Sequence, residues 1–349
     1  MKKRNIILII LASIIVLGLS TYFTIRLINN NKNNVEEQEK IVEEEEEEEK
    51  EKKLAIIDID SKSRPYAIMI DNIKSAFPQA GLQDAYLIYE IIVEGGQTRL
   101  LALFKDVETS LIGPVRSARH YFIDYAMEND AYYIHHGYSP QAQRDLNLFK
   151  INNINGLLYD GTTLWRDTKI SAPHNLFTSI KKLDGRVSLL KYRTETTKTS
   201  LLDYSIDEIS LKDEKGSKKA IEVTIPYSNI HTTKYVYDSD LKVYKRYSYN
   251  VQNVDKVTKE QYTAKNIIVI NVKNYPDPYN SDYGRQTIDN VGNGKGYFIT
   301  NGYAIPITYS KTSRDSQTIY KNLDGEEIIV NDGNTYIQIQ PTTRTTTFK

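Results

Sequence analysis

Arg116 and Arg119 are the residues of this 349-residue chain best suited to holding an anion. They lie in the stretch 113–139, behind a Gly113-Pro114 step and ahead of His135. Pro114 suits the first position of a helix, and Val115, Ala118, Phe122, Ile123 and Ala126 recur at helical spacing. A helix starting at Pro114 would place both arginines on one face of its first turn. Cations there oppose the macrodipole unless an anion sits on the free N–H groups. The competing reading pairs them with acids such as Asp124 or Glu94.

Other residues join this set by type. Asp71 ends an apolar run, residues 64–71, that reads as a strand buried on both faces; an acid there marks a site in many open sheets and a turn cap in others. Runs 85–93 and 98–104 flank Gly95-Gly96 and read as a hairpin. Glu94 and Arg99 could pair across that turn, or Arg99 could join Arg116 and Arg119 in a forked grip on a phosphate or carboxylate. Residues 131–136 read as a strand, so His135 and His136 point to opposite faces, which argues against a paired-histidine metal site. Ser139-Pro140 opens another helix, with Arg144 as a solvated charge on it. The loops around Trp165-Arg166-Asp167 and Ser171–Asn175 supply Arg166, His174 and Asn175, the last as cap of a helix from Leu176 to about Gly185.

The elements carrying these residues divide into an N-terminal α/β domain, residues 54–200, a linker over 201–218 and a β-rich domain over 219–349. The expected class is α+β, with the second part mainly antiparallel and built as a sandwich or barrel. Its short alternating runs are separated by turns at Asn301-Gly302, Asp324-Gly325 and Asp332-Gly333. Gly292–Gly296 lacks the spacing of a phosphate loop and reads as a hairpin corner.

Ahead of the folded part, Lys2, Lys3 and Arg4 precede a mostly apolar run, residues 6–25, closed by Arg26. About 20 such residues suffice to cross a bilayer. Residues 1–28 are therefore expected as a single-pass anchor with a cytoplasmic N-terminus and extracytoplasmic domains. A cleaved signal peptide, with Gly18 and Ser20 near the cut, is the less favoured reading. Residues 29–53, with unbroken glutamates from 43 to 49, read as an acidic disordered tether.

Composition removes several functions. The chain has no cysteine, so thiolate catalysis, disulfides and cysteine-held metals are excluded. Beyond residue 53 there are 36 Lys/Arg against 34 Asp/Glu, without the basic field of a nucleic-acid binder. No Ser–His–Asp order, HExxH or other self-standing catalytic signature occurs. No cofactor or metal is expected.

The segments RPYAIMIDN, EGGQTRLLALF, IGPVRSARHYFIDYA, HHGYSP and WRD–APHNLFTS resemble the YerB family of extracytoplasmic predicted lipoproteins. The likeness runs through most of residues 60–340 and extends to AKNIIVI, GNGKGYFITNGYAI and TYIQIQP. It implies paired N- and C-terminal domains of unknown function and an envelope location, but no reaction. Asp71, Glu94, Gly95, Gly96, Arg99, Arg116, Arg119, His135, His174 and Asn175 fall on the family's motif positions. His136 departs from the pattern, which has a small residue there, and no cysteine is present for lipid attachment.

Three functions remain open. One is an envelope protein binding an anionic ligand, such as a carboxylated or phosphorylated wall component, through Arg99, Arg116, Arg119, His135, Arg166, His174 and Asn175. Another is a hydrolase or transferase acting on wall material, with Asp71 or Glu94 as acid or base and His135 or His174 as partner. The third is a non-catalytic scaffold whose arginines are all tied up in ion pairs. Expected partners are the membrane and a cell-wall or envelope protein.

Overall fold

The computed structural model describes residues 53–278 and 283–349, with Thr21 and Arg26. Apart from those two residues the expected anchor, and apart from Lys53 the expected tether, lie outside the described residues. No helix among the described residues is long and apolar enough to cross a membrane. Residues 54–349 form one compact unit.

The unit is organised by an 11-stranded mixed sheet. The N-terminal half supplies β1 (Tyr66–Asp71), β2 (Leu87–Ile92), β3 (Thr98–Phe104), β4 (Tyr132–His135) and β5 (Asn153–Asn155). Outside it lie β6 (Glu222–Pro226), β7 (Thr232–Asp238) and β8 (Val243–Ser248). The same large sheet continues with β9 (Asn266–Val272), β10 (Gly292–Thr300), β11 (Tyr303–Lys311), β12 (Ile319–Lys321) and β13 (Thr335–Pro341). The order is β12-β11-β10-β9-β13-β2-β3-β1-β4-β5, and the eleventh strand, the short Lys218–Lys219, pairs with β11. β13 pairs in parallel with β2 (Tyr89 opposite Ile337) and with β9 (Ile268 opposite Ile337), so the last long strand bridges the two halves.

Both faces of this sheet are covered, which is why its central strands read as unbroken apolar runs. Side chains alternate between faces. Met69, Tyr89, Leu101, Tyr133, Ile268 and Ile337 pack on one side with Tyr121, Phe122 and Tyr125 of α1 (His120–Glu128) and Ala142 of α2 (Pro140–Leu148). Ile68, Ile88, Ala102, Val269 and Tyr336 pack on the other. There they meet Leu183 and Val187 of α3 (Ile180–Leu190), and Val223, Ile225, Tyr235 and Tyr244 of a six-stranded antiparallel sheet containing β6, β7 and β8. Each such Val, Leu, Ile, Phe or Met side chain contributes about 1.5–3 kcal/mol relative to exposure.

Several local expectations change. The C-terminal half is not a self-contained antiparallel sandwich, because β9 and β13 are parallel and complete the shared sheet. Residues 203–205, expected in a linker, pair with 329–331. Gly292–Gly296 is not a corner but the first half of β10. A Cβ on Gly296 would meet the Val269 carbonyl oxygen at 1.9 Å, so the glycine permits close strand approach. The helix expected from Pro114 begins instead at His120, with Arg119 as its N-cap. The amides that would have opened it are taken by sheet partners, Val115 N–H by Leu176 O and Arg116 N–H by Met69 O. The helix expected from Leu176 likewise starts at Ile180 behind Ser179, because Leu176-Phe177 pairs with Trp165-Arg166. Asn301-Gly302, both at positive φ, closes the two-residue β10–β11 hairpin, as its sequence indicates.

A buried charge ties the two sheets together. Glu90 on β2 is inaccessible, and its Oε1 accepts from Asn72, Thr98, His231 and Thr233 at 2.8–3.0 Å. Its Oε2 accepts from Arg246 Nη2 at 2.9 Å. Burial opposes the carboxylate's charge, but the Arg246 guanidinium and the His231 hydrogen bond outweigh it and hold Glu90 at about 2. Because that value is depressed, the stabilisation is complete above the ordinary value of 4.5 and is lost as pH falls through about 2. Arg246→Met should leave Glu90 uncompensated and cost about 3–5 kcal/mol in urea denaturation. Adding Glu90→Gln should recover part of that loss; a cost below about 1 kcal/mol in the single variant would show the pair does not hold the sheets together.

Candidate functional site

Asp71 stands at the end of β1, where its N–H donates to Pro114 O at 2.9 Å. This pairing brings the extended segment 113–118 alongside β1 and sets Arg116 beside Asp71. The carboxylate is 1% exposed; its Oδ1 accepts from Ile73 N–H at 3.3 Å. Its Oδ2 receives His174 Nδ1 at 2.7 Å and lies 3.0 Å from Arg116 Nε. His174 Nε2 is 3.2 Å from Ser75 Oγ, in the single 3-10 turn that follows β1. Gln79 Nε2 donates to Asp71 O at 2.6 Å and to Asn72 Oδ1 at 3.1 Å, linking this strand end to the Glu90 network.

Two more arginines face the same region. Arg119 Nε bonds Glu94 Oε1, replacing the Glu94–Arg99 pair expected across the hairpin turn. Arg99 is buried, and its Nη1 donates to Ser117 O at 2.7 Å. Burial and the charges of Arg119 and Arg116 push its guanidinium down to about 10, against the opposing pull of Glu94 and Asp71. For Glu94, burial disfavours the charge, but the Arg119 bond and nearby Arg99 hold the carboxyl below its usual range. Three guanidiniums thus share two carboxylates, and among the described residues Arg99 makes no ion pair of its own. Asp124, the other expected acid, is taken by Arg314 at 2.6 Å.

A neighbouring polar cluster contains Arg166, whose Nε bonds Asp160 at 2.8 Å and whose Nη1 donates to Asn175 Oδ1 at 3.0 Å. His136 Nε2 lies 3.2 Å from Arg166 Nη2, so this histidine is a surface partner of the cluster. Arg166 and Asn175 therefore belong together, but Asn175 caps no helix. Arg144 is exposed, as its helix position implies.

His135 is the site residue that the fold removes. It is fully buried, with Nδ1 against Gly137 O at 2.8 Å and Nε2 against Asn153 Oδ1 at 3.1 Å. Both ring nitrogens are engaged in a core role, and burial pushes the imidazole below 6.5. Alternation fixed only that His135 and His136 face apart, not which face is open. Ser75 was missed because it lies in a polar turn, 99 positions from His174. Among the described residues no cluster of His, Asp and Glu has the arrangement of a metal site. A cavity of about 810 Å³ lies elsewhere, between Asp84, Glu108 and Thr109 and the Lys245–Glu260 region.

Residues 54–193 match the N-terminal domain of a family described as protein of unknown function (DUF3048), and residues 223–337 match its C-terminal domain. The Bacillus subtilis (strain 168) protein "Putative lipoprotein YerB" is 29% identical over 276 residues, covering 78% of this chain and 77% of that protein. The crystal structure of the Bacillus subtilis YerB protein superposes with a TM-score of 0.72 at 28% identity, covering 82% of this chain and 94% of that one. The chain belongs to the YerB-like family. Within the family's N-terminal domain fall Asp71, Ser75, Glu94, Arg99, Arg116, Arg119 and His174, whereas His231 and Arg246 come from the C-terminal domain.

The buried histidine gives a pH prediction. A base held below its ordinary value stabilises the fold fully above about 6.5 and loses that contribution as pH falls. Chemical denaturation should show stability declining from pH 7 to pH 5, with a shallower decline in His135→Gln. An unchanged slope in the variant would show that another group carries the dependence.

Proposed function

We infer that this is a membrane-tethered, extracytoplasmic envelope protein that holds an anionic ligand over Arg99, Arg116 and Arg119. The observation carrying this reading is the excess of guanidinium charge: three arginines share Asp71 and Glu94, and Arg99 is depressed by burial and then by the charges of the other two. A phosphate or carboxylate would relieve that repulsion and accept forked hydrogen bonds. His174, with Arg166 and Asn175 nearby, would supply further polar contacts. An outward-facing protein meets such groups on carboxylated or phosphorylated wall polymers.

The location rests on two supports. The relative is named "Putative lipoprotein YerB", and that name supports a membrane-attached location for this chain. This chain has no cysteine to acylate, and its basic N-terminus followed by the apolar run 6–25 supplies a tether of another kind. Residues 29–53 would then act as an acidic spacer, with no nucleic-acid partner and an envelope protein or glycan engaged by the C-terminal part.

Thermal-shift titration of the full chain in detergent with phosphate, citrate and soluble wall fragments tests the anion site. A ligand at about 100 times its dissociation constant should stabilise by about 2.7 kcal/mol. Arg116→Ala and Arg119→Ala should fold and lose the shift. No shift with any ligand, or an equal shift in both variants, would favour the scaffold reading in which the arginines only pair with acids.

A further inference from the structure

We propose that Ser75, His174 and Asp71 form a nucleophilic relay that transfers the acyl group of an anionic ester through Ser75. The geometry has a direction. Asp71 carries Arg116 and His174 on one oxygen and is almost wholly buried, His174 is partly buried, and Ser75 is exposed in the turn after β1. A carboxylate only accepts hydrogen bonds, so the proton on His174 Nδ1 points at Asp71 Oδ2, 2.7 Å away. In the neutral imidazole, Nε2 is then an acceptor, and it faces Ser75 Oγ at 3.2 Å. That is the division of labour of an acid-oriented histidine acting as base toward a serine hydroxyl. The chain order is Asp, Ser, His, unlike the orders of the α/β-hydrolase, chymotrypsin and subtilisin folds, and the spacings of 99 and 103 positions leave no local signature.

The step balances without a cofactor. Ser75 Oγ bonds to the ester carbonyl carbon while its proton passes to His174 Nε2. Collapse of the tetrahedral species breaks the bond to the alcohol oxygen, which leaves with that proton. Water then attacks the acyl-serine, again through His174, and releases the acid. Asp71 keeps the ring oriented and opposes the charge of the imidazolium. Arg116, on the same Asp71 oxygen and bonded to Pro173 O at 3.4 Å, stands beside the relay to meet negative charge on the substrate. The preference for an anionic ester rests on the arginine reading above; the reactivity of Ser75 does not.

Two measurements on the full chain in detergent separate the claims. Incubation with a fluorophosphonate probe, followed by intact-mass and peptide analysis, should place one adduct on Ser75. Ser75→Ala should abolish it, and His174→Gln, which removes the base, should slow it by about 100-fold or more. Hydrolysis of p-nitrophenyl acetate against an anionic p-nitrophenyl succinate should then show a preference for the anionic ester that Arg116→Ala removes. A wild-type chain that takes no label, or a label that survives Ser75→Ala, overturns the relay even if phosphate still shifts the melting temperature. Labelling at Ser75 with no anion shift and no preference for the succinate keeps the relay and overturns the arginine assignment instead.

Discussion

The interaction on which the rest of this structure depends is the ion pair of Glu90 with Arg246, both inaccessible to water. An ionised carboxylate taken out of water costs several kcal/mol unless its partners replace the lost hydration. Here the replacements come from four places: Thr98 on β3, Asn72 after β1, His231 and Thr233 at the start of β7, and Arg246 on β8. No one half of the chain can satisfy Glu90. The pair therefore fixes how the six-stranded sheet sits against the large one, a specification that apolar packing alone would leave looser.

The same network reaches the candidate site through three hydrogen bonds. Asn72 donates to Glu90, and Gln79 spans Asn72 and the Asp71 carbonyl. Asp71 is thus held at the strand end from behind, while its side chain holds His174 and Arg116 in front. On the opposite face Glu128 of α1 plays a parallel part, binding Tyr89 from β2 and Lys311 from β11. Two buried carboxylates, one on each face, clamp the region where β13 joins the halves. In this chain the two matched domains share one large sheet and the interior on its faces.

The sequence was most legible where a local pattern matched the tertiary outcome. The run 64–71 holds a buried strand, Tyr66–Asp71, Gly95-Gly96 turns a hairpin, Ser139 caps a helix and Asn301-Gly302 closes another hairpin. It misled where sheet pairing overrode helical periodicity. The apolar spacing after Pro114 predicts a helix, yet the amides of Val115 and Arg116 serve Leu176 and Met69. That displacement places Arg116 against Asp71, a contact no helix wheel contains. Residue type gathered Asp71, the three arginines and His174, but could not separate His174, poised on Asp71, from His135, closed in the core. Ser75 carries no sequence signal, because its partners lie about a hundred positions away and its own turn is ordinary in composition.

Native-state hydrogen exchange tests the central claim, that the buried pair makes one cooperative unit of residues 54–349. The slowest amides of β1, β2 and β3 should exchange with the same free energy and denaturant dependence as those of β9 and β13, because neither half keeps its sheet when Glu90 loses Arg246. Protection that persists in β1–β3 while β9 and β13 open separately would contradict it, and would make the two halves independent domains that merely touch.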